Sequence, residues 1–161
     1  MSTIGFDTSN YTTSTAWTDG KTDINVRQIL YVKDGERGIR QSDGVFQHMK
    51  LMPVMYEKLS EQIDFKDVKA VGVSTRPRCV EGSYMPVFLA GEGYAKVVAN
   101  TLGVPLYEFS HQDGHIMAGI YSSGSFELLE NDFISVHLSG GTTEILKSRY
   151  NGFYFDNEII G

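Results

Sequence analysis

The chain has 161 residues, 41% of them hydrophobic and 12% aromatic, which is the content of a single globular domain with a packed core and argues against a disordered segment. A formal net charge of −6 without any Lys/Arg run excludes a nucleic-acid surface that works unaided, so RNA contact would need a basic partner. A single cysteine, Cys79, excludes an internal disulfide, no leader-like N-terminus is legible, and no apolar run nears the roughly 20 residues of a membrane span; the expectation is a cytoplasmic protein without a membrane partner.

In chain order, Ile4 to Thr8 reads as a buried strand, Ser9-Asn10-Tyr11 as a turn and Thr12 to Thr18 as its hairpin partner. Asp19-Gly20 is a turn, and Ile24 to Val32 is a third strand of the same antiparallel meander. From Val45 to Gln62, Met49, Met52, Met55, Tyr56 and Leu59 recur at three and four, predicting an amphipathic helix that Pro53 should kink or break. Val68 to Ser74 is a short buried strand, followed by the loop Thr75-Arg76-Pro77-Arg78. Ser83 to Leu102 is a second helix, with Ser83 as N-cap and Gly103 just past its end. Val104 to Glu108 is a strand, and a third helix then runs to about Tyr121. Phe133 to Leu138 and Thr143 to Tyr150 form a hairpin around a Gly-Gly turn, and Tyr154 to Gly161 begins another strand. No internal repeat is legible. The order is that of an α/β fold whose mixed sheet opens with antiparallel hairpin strands.

Three of the four histidines fall in two stretches. His111 and His115 stand at i and i+4, so on a helix both imidazoles reach one ion. Asp113-Gly114 between them reads equally as a turn, and surface or capping histidines are the plainer alternative. Alternation along Phe133 to Ser139 places Ile134, Val136 and Leu138 on an apolar face and Ser135, His137 and Ser139 on the other, which makes His137, at the strand end, the expected third metal ligand with His111 and His115. Ser139, Gly140, Gly141, Thr142 and Thr143 offer consecutive N–H groups and hydroxyls suited to phosphate oxygens, as do Asp7, Thr8, Ser9 and Asn10; an ordinary glycine-rich hairpin is the alternative. Cys79 reads as a buried small apolar residue.

Gly5-Phe6-Asp7-Thr8-Ser9 resembles G-I-E-T-S, Val104-Pro105 through His115 resembles P-x-x-x-x-x-H-x-x-G-H, and Leu138 to Glu144 resembles S-G-G-x-T-Q/E. These are motifs of the TsaD-type tRNA threonylcarbamoyltransferases, formerly called glycoproteases, of the actin-like ATPase superfamily. The resemblance covers the whole chain and implies the N-terminal lobe of an actin-like, ribonuclease H-like fold, residues 1–161, without its second lobe. It implies an iron or zinc ion on His111 and His115, with His137 where some relatives carry a metal-binding tyrosine. It also implies ATP or threonylcarbamoyl-adenylate against Ser139 to Thr143, and tRNA and tRNA-modification proteins as partners. Alone, such a lobe is expected to be inactive and to bury its open face against a second lobe or a second copy. The family's T-A-G-P-G-L-x-G loop is replaced by Ser74 to Gly82, and His48 falls near its S-R-x-H. A non-catalytic dimerising scaffold is the alternative function, disfavoured by the retained histidines. A metallopeptidase is the third, disfavoured because H-x-x-G-H lacks the general-base glutamate of H-E-x-x-H.

Overall fold

The computed structural model describes residues 1–138 and 143–161. Its elements are β1 (Ser2–Asp7), β2 (Thr12–Thr18), β3 (Asp23–Ile29), α1 (Gln41–Ser60), β4 (Val68–Arg76), α2 (Phe88–Leu102), β5 (Leu106–Ser110), α3 (His111–Ser123), β6 (Phe133–Leu138), β7 (Thr143–Tyr150) and β8 (Phe155–Ile159). The expected mixed sheet comprises the first five strands in the order β3-β2-β1-β4-β5, with β1, β4 and β5 mutually parallel and β2 antiparallel to its neighbours. The last three strands form a sheet of their own, β6-β7-β8, wholly antiparallel. It repeats the meander of β1 to β3, a repeat carried by topology rather than by residue identity.

One face of the larger sheet makes the core. Ile4 and Phe6 on β1 and Val71 and Val73 on β4 alternate onto Met52 and Leu59 of α1 and Ala95 and Ala99 of α2. The stripe Gly44, His48, Met52, Met55 and Leu59 seats α1, which runs unbroken through Pro53. Proline cannot supply the N–H that would bond the Met49 carbonyl four residues back. The Tyr94 hydroxyl of α2 donates to that carbonyl at 3.0 Å, so a neighbouring helix supplies the missing donor.

The second helix starts five residues later than Ser83. The Ser83 hydroxyl accepts from the Arg78 N–H inside the preceding loop (3.0 Å), where Cys79, expected to be buried, is exposed, and α2 begins where Thr8 takes hold of it. The fully buried Thr8 hydroxyl donates to the Val87 carbonyl at 2.8 Å and accepts from the Gly91 N–H at 3.0 Å. A Cβ at Gly91 would lie 2.8 Å from the Thr8 Oγ1, so only glycine permits this approach. Gly103 ends α2 in the left-handed region, φ 66°, as its position predicts.

In the small sheet the alternation of β6 is as expected and its burial is inverted. Ile134, Val136 and Leu138 are 58%, 58% and 73% exposed, while Ser135 and His137 turn inward with Glu144 and Ser148 of β7. That face meets α3 and the loop after β4 through Gln112 and Arg78, both bonded to Glu144, and holds the buried Leu146 together with a Ser135–Ser148 bond of 2.8 Å between β6 and β7. The two sheets also meet through aromatic rings. Phe153, in the turn between β7 and β8, packs on Tyr107 and Phe109 of β5, and Tyr154 packs on Phe109.

Candidate metal site at the strand ends

Parallel pairing brings the C-terminal ends of β1, β4 and β5 to one edge of the sheet, where α/β folds place their ligands. Asp7 ends β1, Arg76 ends β4, and His111 follows Ser110, the last residue of β5. The Asp113-Gly114 pair is helical. Ser110 accepts from the Asp113 N–H (3.0 Å) and Asp113 accepts from the Ser110 N–H (3.2 Å), a reciprocal cap that starts α3 at His111.

His111 and His115 therefore share a helix face. Their Nε2 atoms are 2.8 Å apart, with ring centroids at 4.2 Å. The other nitrogen of His111, Nδ1, lies 2.8 Å from Asp7 Oδ2. Burial alone would raise the Asp7 pKa, but hydrogen bonding to His111 and its charge, then hydrogen bonds from Ser74 and Ser9, outweigh it and bring the pKa down to about 2. Asp7 is thus a carboxylate that only accepts, Nδ1 donates, and the His111 Nε2 lone pair is left facing His115. Partial burial, then the charges of His111 and His137, push the His115 pKa down, against a smaller upward pull from Asp7. Two imidazoles with converging nitrogens, one anchored by a carboxylate, fit zinc or iron(II), whose adjacent nitrogen ligands stand roughly 3 Å apart. The donor set is incomplete, because no group of three His, Cys, Asp or Glu among the described residues is arranged to hold an ion.

His137 stands further off, its ring centroid 5.7 Å from that of His115. Its Nδ1 is 3.4 Å from Gln112 Nε2 and 3.9 Å from Glu144 Oε2. Gln112 also donates to Glu144 Oε2 (3.3 Å), and Arg78 Nη1 meets Glu144 Oε1 at 2.5 Å. The sequence offers no signal for this network, since Arg78 and Glu144 are separated by 66 positions and sit in unrelated local patterns.

The residues expected to face phosphate divide. Thr8 is committed to α2, and the Ser9 N–H donates to Asp7 Oδ1 at 2.7 Å. Asn10 accepts from Gln41 (3.3 Å) and lines an open cleft of about 820 Å³ together with Arg78, His111, His115, His137 and Ile120. Thr143 is exposed on β7 opposite Leu138. Ser139, Gly140, Gly141 and Thr142 lie outside the described residues.

An antiparallel meander continuing into parallel strands, with two helices on one face and the polar site at the strand ends, defines an actin-like α/β protein. YeaZ from Pseudomonas aeruginosa superposes with a TM-score of 0.56 at 12% identity over all of this chain and 65% of its own. The ethanolamine utilization protein EutJ from Carboxydothermus hydrogenoformans does so at 0.51 and 18% identity over all of this chain and 53% of its own. The family model for TsaD, tRNA N6-adenosine threonylcarbamoyltransferase, matches residues 35–158, and the chain belongs to that family. The tRNA N6-adenosine threonylcarbamoyltransferase of Christiangramia forsetii is 33% identical over 69% of this chain and 31% of its own length, and that of Pyrobaculum calidifontis is 28% identical over 88% and 40%. The chain thus spans about a third of the length of these curated relatives. The comparisons do not favour the peptidase and scaffold alternatives. No helix among the described residues is long and apolar enough to cross a membrane.

Proposed function

We propose that this chain contributes the metal-binding part of a tRNA threonylcarbamoyltransferase, which moves a threonylcarbamoyl group from its adenylate to the adenosine beside the anticodon. The convergence of the His111 and His115 Nε2 atoms at 2.8 Å, with Asp7 behind His111, carries this reading. An iron or zinc ion held there would act as a Lewis acid on an oxygen of the donor. Asp7 keeps the His111 proton on Nδ1, so the Nε2 lone pair would be free to hold the ion. Ser9 and Asn10, in the turn after β1, face the donor phosphate, as do Ser139 to Thr143. Thr8 supports them by holding α2.

Transfer needs more than this chain. Residues 1–161 act as the N-terminal lobe, and a second lobe or a second copy completes the cleft. A net charge of −6 leaves tRNA binding to a basic partner of the modification machinery, in the cytoplasm. The test is anaerobic loading of residues 1–161 with iron(II) or zinc(II), followed by elemental analysis and calorimetry. One equivalent should bind, and His111→Ala with His115→Ala should abolish binding. A wild-type chain that retains no metal would refute the proposal.

A further inference from the structure

We infer that His137 is a hydrogen-bond donor to substrate, set in that state by Arg78, Glu144 and Gln112, and not a third metal ligand. The inference rests on the reading of His111 and His115 as the metal pair, and concerns what stands beside them.

Glu144 is 7% exposed. Its Oε1 is paired with the Arg78 guanidinium at 2.5 Å, so it stands as a carboxylate whose second oxygen can only accept. Gln112, itself 4% exposed, meets that second oxygen at 3.3 Å. Turned the other way, the Gln112 carboxamide would set its oxygen against Glu144 Oε2, two acceptors in a buried contact. The ion pair therefore fixes which way the amide faces, and its NH2 points at Glu144.

The same nitrogen lies 3.4 Å from His137 Nδ1. With one hydrogen directed to Glu144, the other faces the imidazole, and Nδ1 must accept. In the neutral form of the ring, which carries one proton, that proton is then on Nε2. Direct donation from Nδ1 to Glu144 is not made, since 3.9 Å is beyond hydrogen-bond reach. His111 shows the opposite arrangement. There a carboxylate meets Nδ1 at 2.8 Å, and the lone pair is on Nε2.

The two histidines thus present opposite faces to one cleft. His111 offers a lone pair, as a ligand must, and His137 offers an N–H. The wider spacing of His137, 5.7 Å from His115 between centroids against 4.2 Å within the pair, accords with a place beside the ion rather than on it. The group that an N–H in this place recognises is an acceptor oxygen, carbonyl or phosphoryl, of the molecule bound at the pair. Arg78 comes from the loop after β4, Gln112 from α3, and Glu144 and His137 from the small sheet, so the donor is in place only when the two sheets are docked.

Two measurements on the whole chain test this. Long-range proton–nitrogen spectra of histidine-labelled, metal-free protein read the tautomer directly. Nε2 of His137 should be protonated, and a proton on Nδ1 would overturn the inference. Gln112→Leu and Glu144→Gln each remove the constraint and should give a mixture of tautomers, whereas Arg78→Lys should retain the wild-type form. A wild-type spectrum in both Gln112→Leu and Glu144→Gln would overturn the relay. Chelator competition with zinc(II) alone supplies the second measurement. His137→Gln should bind within about threefold of wild type, while His111→Gln should lose on the order of 100-fold. Equal losses would make His137 a ligand and the inference wrong. Failure of the wild-type chain to bind zinc would instead refute the metal pair, leaving the tautomer to be decided by the spectra.

Discussion

Asp7 Oδ2 and His111 Nδ1 are 2.8 Å apart although 104 positions separate them in the sequence. A carboxylate behind a ligating imidazole fixes its tautomer and raises its basicity. Asp7→Asn preserves the shape and removes the charge, so zinc affinity should fall by about 10- to 100-fold with an unchanged far-ultraviolet circular dichroism spectrum. Competition against a fluorescent chelator measures it. An unaltered affinity would mean that the contact does not tune the ligand.

His48 gives the fold an acid-sensitive step. It is fully buried on α1, with Nδ1 2.8 Å from the Thr13 hydroxyl and Nε2 without a hydrogen-bond partner among the described residues. Burial depresses its pKa from 6.5 to about 4, with Asp7 pulling weakly the other way. Between those values the unfolded chain binds the proton and the folded one does not. Stability from this group is therefore complete above pH 6.5 and lost as pH falls to about 4, a total of about 3 kcal/mol. His115, also lowered, adds in the same direction, and Asp7 contributes a separate loss only between 3.8 and about 2. Urea midpoints from pH 7 to 4 should decline in wild type and much less in His48→Leu. Parallel curves would assign the acid sensitivity elsewhere.

The Tyr94 hydroxyl and Pro53 form a pair that a double-mutant cycle resolves. Tyr94→Phe should cost about 1 kcal/mol by leaving the Met49 carbonyl without a donor. With Pro53→Ala already in place, the helix supplies its own N–H and the cost should shrink to a few tenths of that. Chemical denaturation of the four proteins gives the coupling, and additivity would count against the explanation.

Gly91 and Gly93 lie two residues apart on α2 and should respond oppositely to alanine. At Gly91 the new methyl meets a Thr8 side chain held by two hydrogen bonds, and the cost should be about 1–3 kcal/mol. At Gly93 it meets nothing within 4 Å, and the helix should gain about 0.5–1 kcal/mol. Thermal melts of both variants decide it.

The uncovered aliphatic row Ile134, Val136 and Leu138, with Ile145 beside it, should drive association of the chain with itself. Light scattering across a concentration series should show growing mass, reduced by Val136→Lys. A monomer at every concentration would remove the apolar face as a cause.

Much of this was readable from local pattern. Hydrophobic period alone locates α1, Gly103 marks the end of α2, and β2, β6 and β7 fall where alternation puts them. The His111–His115 face also follows from spacing, because α3 keeps i and i+4 together. What escaped the sequence is nonlocal. Pro53 predicts a break unless Tyr94, 41 positions on, is known to be its neighbour. Thr8 looks free to bind phosphate until α2 is packed against it. The apolar side of β6 looks like core because alternation gives the faces of a strand but not what covers them.

The distance in sequence between Asp7 and His111 also sets a clock. At about 5–20 residues per second of synthesis, Asp7 leaves the ribosome roughly 5–20 s before His111 does. The β1–β2–β3 meander can form early from local contacts, but the edge that bears the site exists only after β4 and then β5 have joined β1 in parallel, pairings that close long loops and are slow. A growing chain therefore presents its carboxylate alone, then both imidazoles, and their joint grip on an ion comes last. If the proposed site takes up a metal, uptake should therefore come late in folding, and its rate should report when the parallel strands have closed.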